Sequence, residues 1–375
     1  MTRIILHIGG EKTGSSYLQR FLSRNAPALL RRHRILYPKS ASLLHRHAHF
    51  PLVASFLGRA DCDFIGERDH QSPDDVYGKL DALIARKRPE TVILSAEHFS
   101  SRLERAAIAA LARRLQKYEV SIVFYVRRQD ELAVSRLSTS LKCGHRDWLC
   151  LDDITVANRY FNPLLVIEDW RAAFGPDAVQ VRSYANAAGY GLANDFLALT
   201  GLDAAAVAKL RPVIRINEKI SLSEARVLHQ LNQCLPTWRE AISGNRTDEY
   251  AEANRLRSKL IDWLREERPE AHPTTLERLL SWQQREQLML AFSEVNRQLV
   301  ERHSLPPSDF MLTHRHDPYP AEPPVEEALA DAVRLLGQRL LRTQSRRKRQ
   351  FKRYARATRE TLGSRLRSYF RVLLR

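Results

Sequence analysis

The residues that could do chemistry gather first in HIGGEKTGSSYLQ, residues 7–19. Gly9 and Gly14 have the GxxxxG spacing of a phosphate-binding loop, but the lysine stands inside it. A Walker-type loop needs Lys directly after the second glycine and then Ser or Thr, so that ammonium and hydroxyl reach the outer phosphates and Mg²⁺. Here Ser15 and Ser16 follow Gly14, and Lys12 precedes it by two residues. A loop between a parallel strand and a helix offers unpaired N–H groups and the positive end of the helix dipole to an anion. Gly14 lets the backbone approach, while Thr13, Ser15 and Ser16 add hydroxyl donors. Lys12 then sits beside an inner phosphate instead of reaching over an outer one. The plain alternative is a tight strand–helix turn with a solvated lysine.

A second device lies in FYVRRQDELAVSRL, residues 124–137. Arg127 at a strand end and Ser135 eight residues on supply a planar fork and a compact hydroxyl for another phosphate. The alternative for this pair is a solvated arginine cap. Two such devices at neighbouring strand ends imply a ligand with two separated phosphates. Three alternating histidines, His45, His47 and His49, have no Cys or acid at ligand spacing nearby, so they line an acceptor pocket or a polar surface loop. His7 reads as a hydrogen-bonded core histidine, and Arg182 as the partner of an acid, with an acidic acceptor as the alternative. No Asp/Glu/His arrangement calls for a metal.

The elements that must hold these residues are legible as alternation. Short apolar runs at 3–9, 91–99, 120–128 and 178–184 are each followed by a stretch with helical spacing. Gly201 reads as the C-cap of the last of these helices. Strands alternating with helices predict an α/β domain with a parallel central sheet flanked by helices. In such sheets ligands bind where loops leave the carboxyl ends of the strands. The Gly9–Ser16 loop, Glu97–His98 and Arg127–Arg128 all fall at such ends. A domain over 1–315 is expected, with a helix-rich part at 219–312 covering the sheet. A Pro-rich linker (316–324) and a helical, strongly basic tail (325–375) follow.

Net charge +17 over 375 residues points to an anionic ligand, surface or polymer. From Arg342 to Arg375 thirteen Lys/Arg face one acid, so the tail supplies twelve of the seventeen. Four cysteines without CxxC spacing fit a reducing compartment. No apolar run reaches the roughly 18 residues of a membrane span, and no signal-peptide pattern opens the chain. A soluble cytoplasmic protein is expected.

The segment Lys12-Thr13-Gly14-Ser15-Ser16-Tyr17 resembles the 5′-phosphosulfate loop of sulfotransferases that use 3′-phosphoadenosine 5′-phosphosulfate (PAPS), and Arg127 with Ser135 is similar to their 3′-phosphate motif. The likeness is greatest to bacterial carbohydrate-type sulfotransferases, through the HIG opening, SAEHF (95–99) and RRQDE (127–131). Weaker similarity runs through LLVIEDWRAAFGPDAVQVRSY, NDFLALTGL and INEKISLSEARVLHQLN, so it covers roughly residues 1–235 and not the tail. It implies a P-loop NTPase-like sulfotransferase fold and PAPS as co-substrate without a metal. Lys12 would then act at the oxygen bridging phosphate and sulfate, and a hydroxyl acceptor, above all a saccharide, would receive the sulfuryl group. A general base is needed within hydrogen-bond reach of that hydroxyl. Glu97 and His98 are the candidates at the end of the TVILSAEHF strand: the family pattern favours Glu97, other sulfotransferases place a histidine near this strand end, and alternation along a strand lets one of the two face the site.

The competing enzyme reading is a P-loop kinase or NTPase, disfavoured by the absent Gly-Lys-Ser/Thr. A non-catalytic polyanion-binding protein is the third. In the tail, Phe351, Tyr354, Leu362, Leu366, Tyr369, Phe370 and Leu373 interleave with arginines as in a basic amphipathic helix. Through residues 340–375 it would hold the enzyme peripherally on an anionic membrane at its inner face. A solvated appendage is the alternative, and nucleic acid is disfavoured because the body carries no binding motif.

Overall fold

The computed structural model describes residues 2–312 except 63, 67–69, 214–219, 238–239, 242–243, 245–246 and 268–279. The Pro-rich linker and the basic tail lie outside the described residues. Those described form two compact units, one from segments 1–132, 151–218 and 283–315, the other from 133–150 and 219–282. The helix-rich stretch 219–312, read from sequence as one cover for the sheet, is thus divided between the two.

The first unit is α/β. Its strands β1 (Arg3–Gly9), β2 (Ile35–Leu36), β3 (Thr91–Ser95), β4 (Glu119–Val126) and β5 (Val179–Ser183) form one sheet in the order β2-β3-β1-β4-β5. Every pairing is parallel, with Ile5 opposite Ile93 on one side and Ser121 on the other. Ile4, Ile5, Leu6 and Ile8 are wholly buried, as expected of a central parallel strand covered on both faces. Four of the five strands match the apolar runs; β2, with two residues, is too short to show a period.

Helix α1 (Ser15–His33) follows β1 directly, starting after Gly14 in the left-handed region and ending with Arg31, Arg32 and His33 at its negative pole. The helices α2 (Phe50–Ala54), α3 (Pro73–Lys87), α4 (His98–Arg102) and α5 (Arg105–Leu115) occupy the connections through β2 and β3 to β4. Beyond β4 come α6 (Gln129–Lys142), α7 (Pro163–Phe174), α8 (Tyr184–Tyr190) and α9 (Leu192–Ala198). Leu18, Phe21 and Leu22 of α1 share a core with Ile5, Ile93 and Val123 of the sheet and with Phe196 and Leu197 of α9. The chain leaves β1 toward β2 but leaves β4 toward β5. Their carboxyl ends therefore flank a switch point, where a crevice opens in such sheets.

The segment beyond 283 is tied to this unit by the residues after β4. The Asp130 carboxylate, 1% exposed, receives Arg128 at 2.7 Å and Arg285 at 2.8 Å. Burial opposes its ionisation, and the two guanidiniums outweigh that penalty and hold it below the usual carboxylate range. Gln129 and Asn296 exchange amide hydrogen bonds of 3.0 and 3.2 Å. In the second unit, Asn232 donates to the carbonyls of Leu141 and His145, and its own oxygen accepts from the buried Arg257 at 2.8 Å. All four cysteines are free thiols, with Cys62 buried. Among the described residues no helix is long and apolar enough to cross a membrane.

Candidate active site

The loop from Gly9 to Gly14 owes its shape to positive φ angles at Gly9, Gly10, Lys12 and Gly14. A Cβ on Gly10 would stand 2.2 Å from the Tyr125 carbonyl oxygen, and one on Gly9 would stand 2.6 Å from Cα of Glu97. These glycines let β1 end in contact with the ends of β4 and β3. Lys12, at φ 63°, is a different matter. Arg34, Arg88 and Ser304 share that conformation as ordinary helix C-caps, whereas Lys12 holds it inside the loop, at a cost of about 1–2 kcal/mol. Thr13 Oγ1 donates to the Gly10 carbonyl at 2.6 Å and closes the loop from within. Among the described residues no acceptor meets the backbone N–H groups of Lys12, Gly14, Ser15 or Ser16. Together with the start of the 19-residue α1 they are arranged as a helix N-terminus that can receive an anion.

Arg127 locks this loop to the end of β4. Its Nη1 donates to the Lys12 carbonyl at 2.9 Å, its Nε to Glu131 at 3.0 Å, and its guanidinium lies 5.1 Å from the Tyr184 ring centroid. Tyr184 in turn packs against Gly14. Ser135 is half-buried on α6, whose residues from 133 on belong to the second unit. Arg182 pairs with an acid, as read from sequence: its Nε donates to Asp195 at 2.7 Å, and Tyr125 donates to the same carboxylate.

Glu97 and His98 do not sit on a strand. β3 stops at Ser95, Glu97 is the residue before α4, and His98 is the first of α4. They diverge because the backbone turns helical there, not because of strand alternation. Glu97 presses against Gly9, and its Oε2 accepts from Gln19 Nε2 at 2.7 Å. The His98 ring stacks on Phe50 at 4.6 Å and meets Phe64 edge-on at 4.4 Å. Tyr37, fully buried, has its phenol pushed well above the ordinary range by burial and then by the nearby Glu97 charge; its hydroxyl donates to the His47 carbonyl at 2.6 Å.

The histidine triplet splits. His49 is 0% exposed, against the expectation that it lines an acceptor pocket. Its Nδ1 accepts from the Ser95 amide at 3.0 Å, so its Nε2–H donates to the Pro38 carbonyl at 3.1 Å. Both ring nitrogens serve the backbone, and burial drives its pKa down to about 4. His47 is exposed, with burial of part of its ring and then the charges of Arg20 and Lys39 lowering its pKa. His45 forms a bridge with Ala48. His7 is a core histidine as expected, with Nδ1 bonded to Ser95 Oγ at 2.8 Å and its pKa lowered by burial to about 3.

A cavity of about 90 Å³ lies beside the loop, bounded by Gly10, Thr13, Ser100, Arg127 and Arg159. The residues that sequence reasoning passed over are Gln19, Tyr37 and Tyr184. Gln19 left no distinct signal, because the buried face of α1 also carries Ser15, Ser23 and Asn25.

No described protein family matches this chain, and no curated protein sequence matches it. Among solved structures, the chain is similar to the crystal structure of a sulfotransferase from Alicyclobacillus acidocaldarius, at 15% identity and a TM-score of 0.36, over 68% of this chain and 95% of that one. A likeness of that size assigns neither fold nor activity by itself.

Proposed function

We propose that this protein is a sulfotransferase that moves the sulfuryl group of PAPS to a hydroxyl, most naturally of a saccharide or glycoconjugate. The observation that carries the reading is the displaced lysine. Lys12 occupies a left-handed position within a cradle of open amides, its carbonyl is bonded to Arg127, and Glu97 lies against Gly9 of the same loop. The donor set suits a 5′-phosphosulfate: amides and hydroxyls of Thr13, Ser15 and Ser16 for the phosphate, with Arg127 for the 3′-phosphate. When bound, PAPS supplies an activated sulfuryl group whose transfer needs in-line placement and charge stabilisation. Lys12 neutralises the negative charge that gathers on the departing phosphate oxygen. Glu97 takes the proton of the acceptor hydroxyl as its oxygen bonds to sulfur. His98, held between two aromatic rings, is the weaker candidate for that role. His47, exposed beside Arg20 and Lys39, remains available to an acceptor, and His49 does not.

The test follows ³⁵S release from labelled PAPS to water and to a panel of sugar hydroxyls. Lys12→Ala loses about 10²–10³ in kcat, the scale for removing one transition-state donor, with thermal unfolding unchanged. Glu97→Gln loses roughly 10²–10⁴, and His98→Asn stays near the parent rate. A fully active Lys12→Ala variant would sink the mechanism; the reverse order for Glu97 and His98 would reassign the base.

A further inference from the structure

Gln19 is 4% exposed on α1, five residues past Gly14, and among the described residues its amide has one partner, Oε2 of Glu97 at 2.7 Å. A carboxamide buried between Leu18 and Leu22 carries a desolvation penalty unless it is hydrogen-bonded. The Glu97 carboxylate, for its part, is free of the commoner duty of its position: it precedes α4 but caps none of that helix's amides. The neighbouring Tyr37 hydroxyl is committed to the His47 carbonyl. Gln19 is therefore the hydrogen-bond donor to this carboxylate among the described residues.

We infer that Gln19 is the positioning residue of the transfer reaction, an inference that rests on the function proposed above. Its N–H fixes Oε2 and thereby selects Oε1 as the oxygen that accepts the proton. In the step so organised, the acceptor O–H proton passes to Oε1 and the acceptor oxygen bonds to sulfur. The bond from sulfur to the 5′-phosphate oxygen breaks, and its electron pair stays with the phosphate. Gln19 also belongs to the helix whose first turn completes the anion cradle, with Ser15 at its first position. The cradle and the donor that orients the base are thus one rigid element, and a phosphate seated at the start of α1 aligns the base one turn further along.

The experiment uses the full chain, PAPS with water as the acceptor, and two variants. Gln19→Met keeps the volume and removes the donor. Its kcat should fall by up to about 10²-fold, the cost of a 1 Å misplacement, while calorimetric affinity for adenosine 3′,5′-bisphosphate stays within about twofold. In Gln19→Glu two facing carboxyls share a proton, so a donor survives only while the pair keeps it. The rate loss of this variant should deepen from pH 5.5 to pH 8, a trend that Gln19→Met lacks. Infrared spectra of chain labelled with ¹³C-glutamate read the hydrogen bond itself, because the band missing in Glu97→Gln should shift in Gln19→Met. If the parent binds the bisphosphate and consumes PAPS while Gln19→Met keeps the parent's rate and band, the role of Gln19 is overturned alone. An equal loss of rate and of bisphosphate affinity overturns it too, since Gln19 would then act through the cradle. A parent chain that neither binds the bisphosphate nor consumes PAPS overturns the function and this inference together.

Discussion

Lys12 and His49 mark the two ends of what a single residue discloses. Lys12 stands out in the sequence because its place relative to Gly14 is a matter of spacing, and in the structure because its positive φ falls inside a loop. His49 was misread as a pocket residue because nothing local distinguishes it from His47 two positions earlier; only the tertiary fold brings the Ser95 amide and the Pro38 carbonyl to its two nitrogens. Gln19 was missed for a related reason, since its meaning depends on a glutamate 78 residues away. The buried histidines have a consequence for acid stability. His7 and His49 titrate near 3 and 4 in the folded chain and near 6.5 when unfolded. Below pH 6.5 the unfolded chain binds protons that the folded chain refuses. Their contribution is therefore whole above that pH and is lost on acidification toward pH 4, at about 1.4 kcal/mol per pH unit for each. Urea titrations of the parent and of His7→Gln between pH 6.5 and 4.5 should differ in slope by that amount; equal slopes would contradict the assignment.

At the scale of elements, the strands β1, β3, β4 and β5 were readable as apolar runs, and their parallel order follows from alternation with helices. The turn after β3 was not readable, because TVILSAEHF has no glycine or proline to announce that the strand stops at Ser95. RRQDE was read for its likeness and turned out to have a structural side, since Gln129 and Asp130 anchor Asn296 and Arg285. The loop after β1 depends on backbone that only glycine supplies. Gly10, at φ 82°, has the Tyr125 carbonyl where a Cβ would go. Gly189, in α8, has no neighbour within 4 Å and no positive φ. Gly10→Ala should lower stability by about 1–3 kcal/mol and abolish bisphosphate binding. Gly189→Ala should be neutral or stabilising by up to about 1 kcal/mol. Thermal unfolding and calorimetry of the pair check both; an unharmed Gly10→Ala would mean that the loop is not held against β4 as described.

Across the whole molecule, charge is the feature that composition reported first, and most of it lies beyond the described residues. We propose that the tail brings the enzyme to an anionic membrane, near an acceptor that is itself lipid-linked or exported. Deleting residues 340–375 should remove co-sedimentation with phosphatidylserine vesicles and leave PAPS turnover in solution intact. Unchanged vesicle binding would contradict the anchor. The division into two units was not legible, because helical periodicity is the same in a stretch that covers a sheet and in one that joins residues 133–150. The central claim concerns the anion for which the loop is built. Its most direct measurement is a calorimetric titration of the full chain with adenosine 3′,5′-bisphosphate beside Mg-ADP under the same conditions. Tight binding of the bisphosphate, lost in Lys12→Ala and not matched by Mg-ADP, is the expected result. Preference for Mg-ADP would contradict the account and make the protein a nucleotide-phosphate enzyme whose lysine works from an unusual position.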